Sequence, residues 1–406
     1  MNQTQLDRGP VLFVAEAVTL AHVARPVTLA RSLAARGHAV VLAADPRYAA
    51  ICGADELPTE RVHSIPTERF LKALADGAPV YDVATLRAYV EEDLALLQRV
   101  RPRVVVGDFR LSLSVSARRL GIPYVNVVNA YWSPYARPRW HVPALPWARR
   151  VPQRFGNLAF RAARRMAFAV HARPMQALRR EHGLAPLGHD LLGVYSDGDV
   201  TLYADPPALV PLFEAPPNHR HIGPVRWEPA LALPPWWDSI ARSSRRPIYV
   251  TLGSSGDSRR LPGVLEGIAR LGLPVVVATA GAPIPASLPP NVFVAPYLPG
   301  ESIASRCSLV VCNGGSPTSH QALAHGVPVL ALPANLDQVL NSDCMRTAGV
   351  GEWLRADLAT PAAIERLART MMENRELRRA AVAMAHDIAR VDPCAGLVRA
   401  IEELGG

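Results

Sequence analysis

The sequence predicts an α/β protein of two doubly wound, Rossmann-like domains whose parallel sheets face a central cleft. Three observations carry this. At 406 residues the chain exceeds the length at which one hydrophobic core usually stops growing, and 49% hydrophobic composition can fill two cores. Val-rich runs such as VVVGDF and PVVVATAG alternate with Ala/Leu/Arg stretches of helical periodicity. The alternation occurs twice, with a Pro-rich interruption between the two sets.

In chain order, VLFVAEA from Val11 reads as a first strand, followed by a loop to His22, a helix over RPVTLARSLAARG closed by Gly37, and the strand HAVVLAA. The helix VATLRAYVEEDLALLQRVR, the strand VVVGDF, the helix LSLSVSARRLG and the strand IPYVNVVNA continue the pattern, which implies a parallel sheet covered on both faces. After Asn129 the regularity fails through AYWSPYARPRWHVPALPW. An Arg-rich helix then runs from Phe155 to about Gly183, and the short strand DVTLYAD follows. The stretch from Pro216 to Arg246 is too rich in proline to be core and holds the domain linker. The second set comprises PIYVTLG, a helix around LPGVLEGIARLG, LPVVVATAG, NVFVAPY, a short helix ESIASRC, LVVCNGG, another helix and PVLALP. The expected division is 1–225, a linker over 226–246, a second domain over 247–382, and a final helix over 383–406 returning to the first domain.

Composition narrows the functional classes. No apolar run reaches the roughly 18 residues of a membrane span without a charge or turn signal, and VLFVAEAVTL reads as a strand and not as a signal peptide. Cys52, Cys307, Cys312, Cys344 and Cys394 form an odd set without a C-x-x-C pair, which points to a reducing, cytoplasmic location and gives neither a zinc site nor a disulfide framework. The net charge of +9 is unevenly spread: between Asp108 and Glu181 there are fourteen arginines and no carboxylate. No aromatic-and-basic motif for nucleic acid is recognisable, so nucleic acid is not an expected partner.

The most informative stretch is LVVCNGGSPTSHQALAHGVPVLALPANLDQVLNSD. A strand ending in Asn313-Gly314-Gly315 and opening a helix through Ser316, Pro317 and Thr318 is where backbone N–H groups and the helix dipole hold an anion. It is neither a P-loop nor a dinucleotide fingerprint, since G-x-x-x-x-G-K-[ST] and G-x-G-x-x-G are both absent. Taken alone it is a phosphate cradle or simply a tight turn that needs glycine.

The order of that turn, the helix, Gly326-Val327-Pro328 and Asp337-Gln338-x-x-Asn341 strongly resembles the donor-site block of the UDP-glycosyltransferase superfamily, the GT-B enzymes that use nucleotide sugars. AHVARPVTLARSLAARGHAVVLA, VVVGDF, HIGPVRW, VTLGS and LPPNVFVAPYLP extend the resemblance over most of the chain outside the middle region. The resemblance implies a GT-B fold with the acceptor side N-terminal and the donor side C-terminal. It also implies inverting, metal-independent transfer of a hexose or deoxyhexose from a UDP- or TDP-sugar to a small, largely apolar natural-product acceptor, with no cofactor beyond that co-substrate.

Residue by residue, His22 falls where the family has its general base and Asp108 where it has the partner carboxylate. Histidine's near-neutral intrinsic pKa suits the first role, and an orienting carboxylate suits the second. A plain loop histidine and a helix N-cap are the alternatives. On the donor side the resemblance assigns the backbone of Gly314 and Gly315 with Ser316, Thr318 and Ser254 to the diphosphate, Leu298 to the base, and Asp337 with Gln338 to sugar hydroxyls; a polar turn is the alternative for the last pair. Two positions depart from the family: Asn313 stands where a histidine usually precedes the turn, and Gln321 where a ribose-binding glutamate is common.

The resemblance implies that the middle region lines the acceptor pocket, where Tyr131, Trp132, Tyr135, Trp140 and Trp147 would give flat apolar walls, unless these aromatics are core. In the Arg-rich helix, Phe155, Leu158, Ala159, Ala162, Met166 and Ala169 share one face, and Arg154, Arg161, Arg164 and Arg165 gather on another. Three readings stand: peripheral contact with an anionic membrane face, attraction of an acidic acceptor, or a solvated arginine face on a helix packed over the first domain. Rival functions are a catalytically silent auxiliary subunit and a membrane-surface enzyme of lipid-linked saccharide assembly; monomer and homodimer both remain open.

Overall fold

The computed structural model describes residues 9–284 and 287–405. Two compact units are found: one gathers Met1–Arg137, Arg161–Val225 and Val391–Gly406, the other Pro138–Phe160 and Arg226–Arg390.

The first unit is a sheet of β1 (Val11–Ala15), β2 (Val40–Ala44), β3 (Thr59–Arg61), β4 (Val104–Asp108), β5 (Tyr124–Val128), β6 (Val200–Tyr203) and β7 (His219–His221). Its order is β3-β2-β1-β4-β5-β6-β7 and every pairing is parallel. β1, β4 and β5 are buried along their whole length, which is why they read as near-continuous apolar runs and not as alternation. Leu12, Val14, Val105 and Tyr124 pack against Leu96, Leu97, Leu113 and Ala117 of the covering helices. The strand order changes direction between β1 and β4, the place where an open α/β sheet leaves a crevice at its carboxyl edge.

The second unit repeats the plan with β8 (Ile248–Thr251), β9 (Val275–Ala278), β10 (Val292–Ala295), β11 (Leu309–Cys312), β12 (Val329–Ala331) and β13 (Gly351–Trp353), in parallel order β10-β9-β8-β11-β12-β13. Its core gathers Ile248, Val250, Val275, Val277 and Val311 against Leu265, Ile268, Ile364 and Met371. The switch point here lies between β8 and β11.

Four local results differ from the sequence expectation. The helix after β1 is Ala21–Ala34, so His22 sits in its first turn and not in a loop. Proline at position 26 ordinarily marks a helix start, yet the helix begins a full turn earlier, where His22 and Arg25 are tied to β4. The polar segment NLDQVLNSD is the first part of the helix Leu336–Thr347. It is opened by a capping box in which the Asn335 side chain accepts from Gln338 N–H and Gln338 reaches back to the Asn335 N–H. The Pro-rich stretch contributes β7 to the first sheet and the helix Trp237–Ala241 to the second unit, with Trp237 and Ile240 buried.

The fourth concerns the middle of the chain. Residues 138–160 are held in the second unit by a cluster of Val142, Ala148 and Phe160 with Trp140, Leu145 and Leu336, by the His141–Asp343 pair at 3.2 Å, and by Arg355 Nη2 donating to the Ala148 carbonyl. At the C-terminus, the helix Pro393–Gly405 lies with the first unit, where Arg36 pairs with Asp392 and Arg220 with Glu403. Among the described residues no helix is long and apolar enough to cross a membrane.

Candidate active site

In the first unit the switch point brings His22 and Asp108 together. The parallel register sets Ala15 of β1 beside Asp108 of β4, and His22 descends from the helix that follows β1. His22 Nδ1 lies 2.8 Å from Asp108 Oδ1. With Nδ1–H donating to the carboxylate, Nε2 remains as the acceptor nitrogen of the ring. The Asp108 side chain is 2% exposed and that of His22 20%, so the carboxylate is fixed in the interior while the imidazole reaches solvent.

Asp108 has a second partner that sequence reading missed. Arg25 donates from Nε to Oδ2 at 2.5 Å and from Nη2 to Oδ1 at 3.0 Å, and its Nη1 donates to Asn129 Oδ1. Asn129 in turn donates to Asp205. Burial alone would push the Asp108 carboxyl upward, but the Arg25 charge and the His22 hydrogen bond outweigh it and hold it below the usual carboxylate range. Arg25 lies three residues after His22 on one helix, so the i, i+3 spacing was a usable signal.

Phe109 completes the pair. Its φ of 59° is in the left-handed region, an unfavourable conformation for a residue with a Cβ, and it lays the ring against His22 with centroids 4.9 Å apart. Tyr195, Phe70 and Tyr81 surround the same ring. The next residue, Arg110, is wholly buried among Glu16, Asp93 and Glu92 and lies over the Tyr89 ring. This braces both loops of the switch point, since Glu16 follows β1 and Arg110 follows β4. Tyr81 and Tyr195 also border a small pocket with Leu86, Leu111, Met175 and Val194.

The expected acceptor aromatics separate. Tyr131 and Trp132 occupy the turn after β5 and are buried, with Trp132 against Tyr195 at 5.0 Å and near Phe168. Trp140 instead packs on the Val142–Ala148–Phe160 cluster of the second unit.

At the second switch point, Asn313, Gly314 and Gly315 link β11 to the helix Ser316–Ala324, with Pro317 at its first turn. Gly314 has φ of 84°, and a Cβ there would stand 2.3 Å from Ser342 Oγ, so glycine is required on both counts. Asn313 is 5% exposed; its Oδ1 accepts from Gly315 N–H at 3.0 Å and its Nδ2 donates to Ser255 Oγ at 3.1 Å. Ser254 is half-buried in the loop after β8, and its neighbour Ser255 makes the contacts to Asn313 and Gln338. Ser316 is buried and Thr318 half-buried in the first turn of the helix, whose dipole favours an anion there.

The D-Q-x-x-N segment divides its labour. Gln338 is buried in the capping box, and Asn341 donates to the Gly314 carbonyl at 2.8 Å and to Ser319 Oγ at 2.9 Å. Both brace the turn from behind. Asp337 is half-buried in the first turn of its helix. Gln321 donates from Nε2 to the Trp227 carbonyl, close to Gly300, and Leu298 is buried just before that glycine. Among the described residues no group of three or more His, Cys, Asp or Glu is placed to hold a metal ion.

Residues 263–404 match the family described as Erythromycin biosynthesis protein CIII-like, C-terminal domain. The chain is 46% identical over 378 residues to a PGL/p-HBAD biosynthesis glycosyltransferase of Mycobacterium tuberculosis (strain ATCC 25177 / H37Ra), covering 93% of this chain and 88% of the relative. It is 45% identical over 383 residues to a PGL/p-HBAD biosynthesis rhamnosyltransferase of Mycobacterium bovis (strain BCG / Pasteur 1173P2), covering 94% and 85%. A relative from the same strain named an inactive PGL/p-HBAD biosynthesis glycosyltransferase is 47% identical over 263 residues, 65% of this chain and 72% of that one. In three dimensions the chain is similar to spinosyn forosaminyltransferase, with TM-score 0.71 and 19% identity over 98% of this chain and all of that one. It is also similar to spinosyn rhamnosyltransferase complexed with thymidine diphosphate, with TM-score 0.69 and 23% identity over 97% of this chain and all of that one. The two parallel-sheet units are those of the GT-B architecture, and the chain is a glycosyltransferase belonging to the family of the PGL/p-HBAD biosynthesis glycosyltransferases.

Proposed function

We propose that this glycosyltransferase moves a deoxyhexose from a TDP-sugar to a hydroxyl of a small, largely apolar acceptor, with inversion and without a metal ion. The observation that carries the reading is the His22–Asp108 pair at the first switch point, with Nε2 of the ring left as a proton acceptor. In the step itself, the acceptor O–H gives its proton to His22 Nε2 as the oxygen bonds the sugar's anomeric carbon. The bond from that carbon to the diphosphate breaks, and the nucleoside diphosphate leaves with the electron pair. Asp108 holds the imidazole's orientation and offsets the charge it gains.

The choice of a TDP-deoxyhexose over a UDP-hexose draws on the rhamnosyltransferase relative and on the thymidine diphosphate bound by a structural neighbour. Diphosphate would be held at the Gly314–Thr318 turn by the N–H groups and hydroxyls of Ser316 and Thr318 with Ser254, the base by the backbone at Leu298, and the sugar by Asp337. Phe109, Tyr195 and Trp132 offer the acceptor flat apolar walls near His22. Thermal-shift titration with TDP and UDP, followed by turnover of TDP-rhamnose with aromatic acceptors and assignment of the product anomer, tests the reading. Stabilisation by neither nucleotide at saturation sinks it.

A second reading, a silent auxiliary subunit, is favoured by one set of observations. The amides of Asn313, Gln321 and Gln338 are all engaged within the protein, and one relative is named inactive. Nucleotide binding without turnover, unchanged by His22→Ala, is the result that would select it.

A further inference from the structure

The helix Gln153–Glu181 carries two apolar series, one packed inward as in an ordinary amphipathic helix and one facing outward. Its buried positions are Gly156, Phe160, Phe168, Ala172, Met175, Leu178 and Arg179. The other apolar series is outside: Phe155 is 55% exposed, Leu158 67%, Met166 71% and Val170 37%, with Ala159 and Ala162 exposed between them. At 3.6 residues per turn these positions form one straight stripe, about 22 Å long from Phe155 to Val170.

One flank of that stripe is a ridge of exposed arginines, Arg154, Arg161 and Arg165, spaced seven and four residues apart. Arg154 lies with its guanidinium 4.8 Å from the Phe155 ring centre. Arg164, expected in the same group, is instead turned inward toward Asp190 and Phe168. The segment leading into the helix leaves Trp147 and Val151 exposed beside Arg149 and Arg150.

From this arrangement we infer that the outward face of Gln153–Glu181 is a docking surface for an anionic lipid bilayer, with the stripe at the acyl boundary and the arginines among the head groups. Charge complementarity selects this occupant: Arg149, Arg150, Arg154, Arg161 and Arg165 are exposed on or just before the helix, and no carboxylate occurs in the chain from residue 109 to 180, so this face attracts a negative surface and repels a second copy of itself. The shape agrees, since a straight apolar stripe on the outer face of one helix fits a plane. Apolar residues standing outside the arginine ridge also separate this surface from a merely solvated basic face.

Sedimentation of the whole chain with vesicles tests the inference. Binding is expected to phosphatidylglycerol/phosphatidylcholine vesicles at about 3:7, to fall at least tenfold on raising salt from about 50 to 500 mM, and to be absent with phosphatidylcholine alone. Leu158→Gln with Met166→Gln should lower the partition coefficient about tenfold, and Arg154→Gln with Arg161→Gln and Arg165→Gln should remove the salt dependence. Both variants should keep the thermal midpoint and the nucleotide-induced shift of the parent, so that this inference and the proposed reaction fail separately. No binding to anionic vesicles, or binding indifferent to both variants, overturns it. Equally contrary would be a self-association, or capture of an acidic protein, that these substitutions abolish while vesicle binding persists.

Discussion

At the ends of β1 and β4, His22, Asp108 and Arg25 meet around one buried carboxylate; at the ends of β8 and β11, the matching place in the second sheet is filled by Asn313, Ser255 and Gln338, all neutral. Each switch point is braced from behind, the first by the Arg110–Glu16–Asp93 ion cluster and the second by amide hydrogen bonds from Gln338 and Asn341. The contrast fits what each would do in the proposed reaction. A proton acceptor needs a fixed charge beside it, whereas a cradle for a diphosphate supplies backbone N–H groups and a helix dipole and requires shape above all. Charge concentrated in the interior makes the first site costly to disturb; glycine geometry makes the second intolerant of added atoms.

The largest effect is expected from breaking the brace of the first site. Arg110→Met leaves Glu16 and Asp93 buried without their cation and should cost about 3–5 kcal/mol of stability at neutral pH, read by denaturant unfolding. Burial raises both carboxyls in the folded protein even with Arg110 present. Raised groups stabilise below their unfolded values near pH 4 and lose that contribution as pH rises, so the variant's deficit should be smaller at pH 5 than at pH 8. An equal deficit at both pH values would separate the cluster from the switch point's stability.

Arg25→Met should cost somewhat less, about 2–4 kcal/mol, with a deficit that also shrinks toward acid, here through a depressed carboxyl. Asp108 is depressed by Arg25 and His22, so its contribution is present above the unfolded value near pH 4 and is lost as pH falls. The variant should therefore approach the parent's stability in acid, and a constant difference down to about pH 2 would contradict the assigned pairing.

In the second site, Gly314→Ala should destabilise by about 1–3 kcal/mol through its positive φ and the clash at Ser342, and should abolish the nucleotide-induced thermal shift. Asn313→His is the smallest change, expected to tighten nucleoside diphosphate binding by about threefold to tenfold as a charged donor replaces an amide. Because the Asn313 side chain also caps Gly315, calorimetry on the variant decides between the roles: weaker binding would mean the cap matters more than the charge.

Much of this was legible in the chain. Val-rich buried strands announced both parallel sheets, whereas the pairing of His22 with Asp108 came from the family resemblance and not from the strand pattern. What escaped was decided by tertiary contact. Pro26 marked a helix start that the Asp108 anchor overrode, and the N-L-D-Q capping box was readable where the alternative offered was a polar turn. Trp132 and Trp140 looked equivalent because composition does not say which neighbours bury a ring. The Arg-rich helix had two apolar series, and periodicity alone did not reveal which one faces outward.

The most direct test of His22 as the base at a charge-built site is the turnover of His22→Ala measured beside its nucleotide binding. The account predicts a loss of about 10² to 10⁴ in kcat with the nucleotide-induced thermal shift retained. Turnover within a few-fold of the parent on the same donor and acceptor would contradict it.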